Sequence, residues 1–167
     1  IGESTLSQRD ELKLDRGVCK QILTIEQAQA LALQRCKTAP EALALITQLL
    51  ETYGFLPSCV DESESLVLAD PDEIWVLEVF SVGNDWDPES GKPGCIWAAQ
   101  RVPDDQAMII PNWSIIKQID IEDKANYRAS SNYMQEAIDR GWYNPASGEA
   151  FIWQEAYAPV PREWATS

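Results

Sequence analysis

The chain has 167 residues, 45% hydrophobic and 24% charged, a composition that folds around a core and a length that fits one domain, residues 1–167. With 13 basic residues against 27 acidic ones the net charge is −14, a field that repels phosphate backbones and argues against a nucleic-acid partner. Histidine is absent, which excludes a Ser-His-Asp site, a Cys-His site or a histidine-ligated zinc built from this chain alone.

Residues 1–7, I-G-E-S-T-L-S, read as the end of a strand running into a loop, and residues 8–21 as polar and irregular with a turn at Gly17. Thr24-Ile25-Glu26-Gln27 is a capping box, and Ile25, Ala28, Leu31, Ala32 and Cys36 follow at helical spacing, predicting a helix over 25–37. Thr38-Ala39-Pro40-Glu41 is a second capping box, with Pro40 in the first turn where no intrahelical N–H is lost. Leu43, Ile46, Leu50 and Tyr53 line one face of that helix, and Gly54 stands where a glycine cap belongs. The two make an αα-hairpin.

From Ser65 the period changes. Residues 66–69 and 74–80 are β-rich runs joined by Asp70-Pro71-Asp72-Glu73, which predicts a β-hairpin. The run I-W-V-L-E-V-F is apolar except for Glu78, as expected of a strand covered on both faces. After a Gly-, Pro- and Asp-rich loop at 82–94, residues 95–102 and 106–110 flank Pro103-Asp104-Asp105, predicting a second hairpin that stops at Pro111-Asn112. Arg101, a permanent cation in a segment suited to burial, needs an acidic partner or a ligand, and Glu78 is the candidate partner. Residues 113–120 read as a short strand or irregular, 132–140 as a short helix ended by Gly141, and 142–167 as a tail wrapping the core.

No run of about 18 apolar residues occurs, so neither a transmembrane helix nor a membrane partner is expected. The chain opens at Ile1 rather than Met, which points to a processed or excised piece and leaves the compartment open. Cys19, Cys36, Cys59 and Cys95 are scattered without a C-x-x-C pair; they read as buried thiols, with two disulfides as the alternative. Asp85, Asp87 and Glu89 alternate like ligands of a calcium loop, but Gly91 comes one place late for an EF-hand and Ile96 stands where its bidentate glutamate belongs. Ser114-Ile115-Ile116-Lys117 matches S-x-x-K, with Ser130-Ser131-Asn132 downstream, yet no K-T-G follows and the motif comes after a strand end rather than opening a helix. The seven tryptophans are expected in or over the core.

Several stretches, in order over nearly the whole chain, resemble the cysteine dipeptidases of the dipeptidase A and secernin group, within the N-terminal-nucleophile hydrolases. They are I-G-E-S-T-L at the start, L-A-L-Q-R-C-K-T-A-P-E-A-L-A-L-I with E-T-Y-G-F, D-P-D-E-I-W-V-L-E-V-F, W-A-A-Q-R-V-P-D-D and G-W-Y-N-P-A-S-G-E-A-F. W-A-A-Q-R-V-P-D-D is the most specific of them. The resemblance implies an α+β fold, part of an αββα sandwich of antiparallel strands packed against helices. It implies hydrolysis of dipeptides, without a cofactor or metal, by an N-terminal cysteine whose own α-amino group serves as base. None of the four cysteines is N-terminal, so the resemblance places the nucleophile before Ile1, in the remainder of a parent hydrolase, and the chain alone is expected to be inactive.

Asn112, ending A-M-I-I-P-N, matches the strand-end asparagine that in related amidases binds the reacting carbonyl or holds the nucleophile, and is the candidate catalytic residue. Arg101 and Arg162 are the candidate substrate-binding residues, the latter standing in A-P-V-P-R-E-W where such amidases carry a late arginine. Glu3 and Ser4 lie where relatives place another oxyanion donor, although neither is the asparagine used there, and Ile115 and Ile116 stand where an arginine often follows. The alternatives are a non-catalytic secernin-like protein-interaction domain and a calcium-stabilised module; association into a homo-oligomer is left open.

Overall fold

Both helix starts are fixed by reciprocal caps. The Thr24 Oγ1 accepts the Gln27 N–H at 3.3 Å while Gln27 Oε1 accepts the Thr24 N–H at 3.0 Å, opening α1 (Ile25–Arg35). Thr38 and Glu41 repeat the exchange at the start of α2 (Ala39–Tyr53). The computed structural model describes residues 1–58 and 62–159. α2 ends at Gly54, whose φ of +73° favours glycine; a Cβ there would also lie 2.5 Å from Gln21 Cγ.

Around this pair the chain forms a five-stranded antiparallel sheet. Its strands are β1 (Gly2–Leu6), β4 (Ser63–Ala69), β5 (Ile74–Phe80), β6 (Ile96–Arg101) and β7 (Tyr127–Ala129), in the order β1-β4-β5-β6-β7. Two further short strands, β2 (Leu23–Thr24) and β3 (Phe55–Leu56), make a parallel pair. With α3 (Gln135–Asp139) and α4 (Trp153–Tyr157), the described residues hold four α-helices and are α+β. None of these helices is long and apolar enough to cross a membrane.

The β4–β5 hairpin forms across Asp70-Pro71-Asp72-Glu73 as the two β-rich runs and their turn predict, with β4 beginning three residues early at Ser63. The second expected hairpin does not form. Gln106 N–H turns back onto the Pro103 carbonyl at 3.0 Å, but residues 106–110 pair with nothing as a strand, and β7 takes the edge of β6 instead. The physical reason is burial: Ile109 in that run is 85% exposed, so a strand there would have no core against which to bury its apolar residues.

β5 is buried on both faces, as its apolar run implies. Trp75, Leu77 and Val79 pack with Ile25, Ile46 and Leu50 of the helical pair. Phe80 faces the other way, with Leu6, Ile96, Trp153 and Tyr157. That second core is closed by the chain's later part, including α4, so residues 142–159 cover the sheet as expected. Each large side chain so buried contributes about 1.5–3 kcal/mol.

Candidate functional site

The period of two along antiparallel strands collects one row of residues on the face away from α1 and α2. The register aligns Ser4 with Ser65, Ser65 with Glu78, Glu78 with Ala98, and Ala98 with Ala129. Small and polar side chains thus cross the whole sheet. Ser65 and Glu78 are buried, and Ser65 Oγ has no hydrogen-bond partner.

Glu78 is the centre of this row. Its Oε1 accepts the backbone N–H groups of Ile115 (2.7 Å) and Ile116 (3.2 Å). Its Oε2 accepts the Ser114 hydroxyl (2.7 Å) and the Trp153 indole N–H (2.8 Å). Four donors on two oxygens match the acceptor capacity of an ionised carboxylate. Burial pushes the carboxyl above its usual range, and the bonds from Ser114, Ile115, Trp153 and Ile116 oppose that rise.

These contacts pin residues 111–117, which have no regular secondary structure. Ser4 Oγ donates to the Pro111 carbonyl at 3.3 Å, and Trp113 N–H returns to the same carbonyl at 2.7 Å. Downstream, the Gln154 amide donates to the Ser114 carbonyl, and Trp153 N–H to the Lys117 carbonyl at 2.8 Å. Asn112 therefore sits on an exposed bend between two anchors, one on β1 and one on β5. A neutral amide held there can donate a hydrogen bond to an oxygen that gains charge.

Of the two β1 candidates, Ser4 is the one that reaches the Asn112 segment. Glu3 points to the opposite face, where it accepts from Gln29 Nε2 (2.6 Å) and Ser58 Oγ (3.3 Å). Ser58 also caps the buried Glu64, whose carboxyl is raised chiefly by burial and further by the charges of Glu3 and Glu26, against the lowering bonds from Ser58.

Arg101 does not pair with Glu78. Its Nε lies 3.4 Å from Glu73 and its Nη2 2.6 Å from Asp104. Strand parity explains the difference: Arg101 aligns with Trp75, whereas Glu78 aligns with Ala98, so the two side chains leave opposite faces of the sheet. Arg162 lies outside the described residues, as does Cys59.

Among the described residues Cys19, Cys36 and Cys95 are free thiols. Cys95 is fully buried, which pushes its thiol well up, with Glu51 adding to the effect, so it is unsuited to act as a thiolate. Asp87 accepts the Glu89 N–H at 2.9 Å and pairs with Lys20, and those contacts hold its carboxyl below the usual range.

Asn112 is legible in the sequence, whereas Ser65 and Trp153 as neighbours of Glu78 are not. The one usable signal was Glu78 itself, a lone charge in an apolar strand.

The antiparallel sheet is packed on helices, and Asn112, expected at the end of a strand, lies instead on an irregular bend tied to the edge strand through Pro111, because residues 106–110 form no strand. A model of peptidase family C69 matches residues 2–164, and the chain belongs to that family. It is 28% identical over 156 residues to a probable dipeptidase of Salmonella dublin, covering 93% of this chain and 32% of that relative. It is 32% identical over 120 residues to a probable dipeptidase B of Lactococcus lactis subsp. lactis (strain IL1403), covering 72% of this chain and 21% of that relative. Dipeptidase A of Lactobacillus helveticus is 28% identical over 120 residues, 72% of this chain and 22% of that relative. The chain thus spans about a third or less of the length of these curated relatives.

Proposed function

We propose that the protein carrying this chain is a dipeptidase whose nucleophile is an N-terminal cysteine outside these 167 residues. The cysteine sulfur attacks the amide carbonyl, the α-amino group of the same residue takes its proton and passes it to the departing amine, and water then hydrolyses the thioester. Asn112 donates its amide N–H to the carbonyl oxygen as negative charge develops there. Arg162 contacts the dipeptide; Arg101, paired with Glu73 and Asp104 on the sheet face opposite Glu78, serves the enzyme through those ion pairs rather than by touching a substrate held at Asn112. The five-stranded sheet is one layer of an αββα sandwich, completed by residues beyond this chain. Alone, the chain does not turn over substrate.

Membership of peptidase family C69 supports the reaction class, and one observation carries the site: Ser4 on the edge strand holds Pro111, which sets Asn112 beside that edge. The test is hydrolysis of a mixed dipeptide panel by the full-length protein, with Asn112→Ala alongside. The expected outcome is turnover by the wild type and a loss of about 10²-fold in kcat in the variant. Its melting temperature should be unchanged, because Asn112 is exposed. A folded full-length protein that cleaves none of the dipeptides would refute the reading in favour of a non-catalytic interaction domain.

A further inference from the structure

Glu78 bonds both to the irregular segment bearing Asn112 and to the helix α4, two elements that also meet directly through the Trp153 N–H on the Lys117 carbonyl and the Gln154 amide on the Ser114 carbonyl. Its Oε1 takes two successive N–H groups of that segment, and each of its oxygens bonds to it at least once. Ser114, which shares Oε2 with Trp153, is two residues from Asn112. Loss of these bonds loosens the downstream side of the bend, leaving it to the Gln154 amide on the Ser114 carbonyl and the Trp153 N–H on the Lys117 carbonyl, while Ser4 still holds the upstream side at Pro111. We infer that Glu78 is a positioning residue for the reaction, aiming the Asn112 amide through the Ser114–Ile116 backbone. The inference rests on the role proposed above for Asn112.

Shifting a reacting group by an ångström costs about 10²-fold in rate, so a partial loosening of one anchor is expected to cost about tenfold. The experiment is a double-mutant cycle in the full-length protein, reading kcat and KM for the best dipeptide of the panel, with melting temperatures measured in parallel. Ser114→Ala removes the hydroxyl bond on the Asn112 side of Glu78 Oε2. Trp153→Phe removes the indole bond on the α4 side of the same oxygen, and also some packing in a fully buried position.

If Glu78 positions Asn112, Ser114→Ala lowers kcat about tenfold with little change in KM, and does nothing further in the Asn112→Ala background. Trp153→Phe then costs more in melting temperature and less in kcat. Glu78→Gln is expected to lower kcat at least as much as Ser114→Ala, since an amide cannot accept all four bonds; should it fail to fold, the Ser114→Ala cycle still decides. Equal kcat losses from Ser114→Ala with and without Asn112 would overturn the inference, as would activity losses that follow melting temperature across the variants. Unchanged kcat in Asn112→Ala, with hydrolysis by the wild type intact, would remove the role of Asn112 first and leave Glu78 nothing to position.

Discussion

Gly94→Ala tests how closely α2 and the start of β6 are joined beneath the sheet. A Cβ at position 94 would lie 2.5 Å from the Gly54 Cα, 2.8 Å from the Gly54 nitrogen and 2.8 Å from Trp86 Cζ2. Carbon atoms pack at about 3.5–4.0 Å, so the two backbones must part by roughly 1 Å. They are held by the Gly94 N–H on the Glu51 carbonyl at 2.8 Å and the Phe55 N–H on the Gly94 carbonyl at 3.1 Å. Losing two such bonds costs about 1 kcal/mol each, and residual overpacking about 1–3 kcal/mol more. The total, about 4 kcal/mol, is several times the loss expected of a glycine that meets no neighbour, so the fall in melting temperature should be several times larger as well. Gly91→Ala is the control. Its φ is +71° but a Cβ there would meet nothing within 4 Å, so only backbone strain of about 1 kcal/mol is expected. Thermal unfolding of both variants of the full-length protein, followed by circular dichroism, decides. A drop for Gly94→Ala no larger than that for Gly91→Ala would refute the argument from close approach.

Burial raises the folded-state pKa of Glu64, so the protonated form is favoured on folding and its stabilising contribution is present below the ordinary carboxyl value and lost as pH rises through the raised one. Glu64→Gln keeps an acceptor for the Ser58 N–H, so its melting temperature relative to wild type should climb as pH rises above the ordinary carboxyl value; a flat difference would count against the buried charge. Arg101→Ala should lower the melting temperature by about 2–4 °C, because two partly exposed ion pairs are worth about 1 kcal/mol together, and lost turnover with no such fall would assign the residue to substrate alone. Millimolar calcium should leave the melting temperature unchanged, since Asp87 is already engaged by Lys20 and the Glu89 N–H; a rise of more than about 2 °C would revive the calcium module.

The parts legible in the sequence are those whose determinants lie within a few residues of one another. Each capping box is a four-residue exchange, and both open helices where expected. The β4–β5 hairpin is closed by Asp70, whose carboxylate takes the N–H groups of Asp72 (2.8 Å) and Glu73 (2.9 Å). The neighbour of β6 was not legible. β7 is three half-buried residues, Tyr127, Arg128 and Ala129, with no alternation long enough to read, and it follows β6 only after an irregular stretch of 25 residues, 102–126. Arg128 stacks 4.6 Å from the Trp75 ring centroid, a contact two strands away that no local pattern announces.

The same contrast explains why Glu78 organises the candidate site. Ile115 and Ile116 carry N–H groups into the protein without a strand partner, and a buried N–H left unpaired costs about 1–3 kcal/mol. A carboxylate on the sheet beneath satisfies both at once, which lets the segment stay irregular and hold Asn112 on a bend rather than in a ladder. A cation at 78 could accept neither bond, and an aliphatic residue would orphan both N–H groups together with the Ser114 hydroxyl and the Trp153 indole. The charge in β5 is therefore matched by donors 36 to 75 residues away in sequence rather than by a cation, and an expectation built on opposite charges was bound to look for Arg101 on the wrong face.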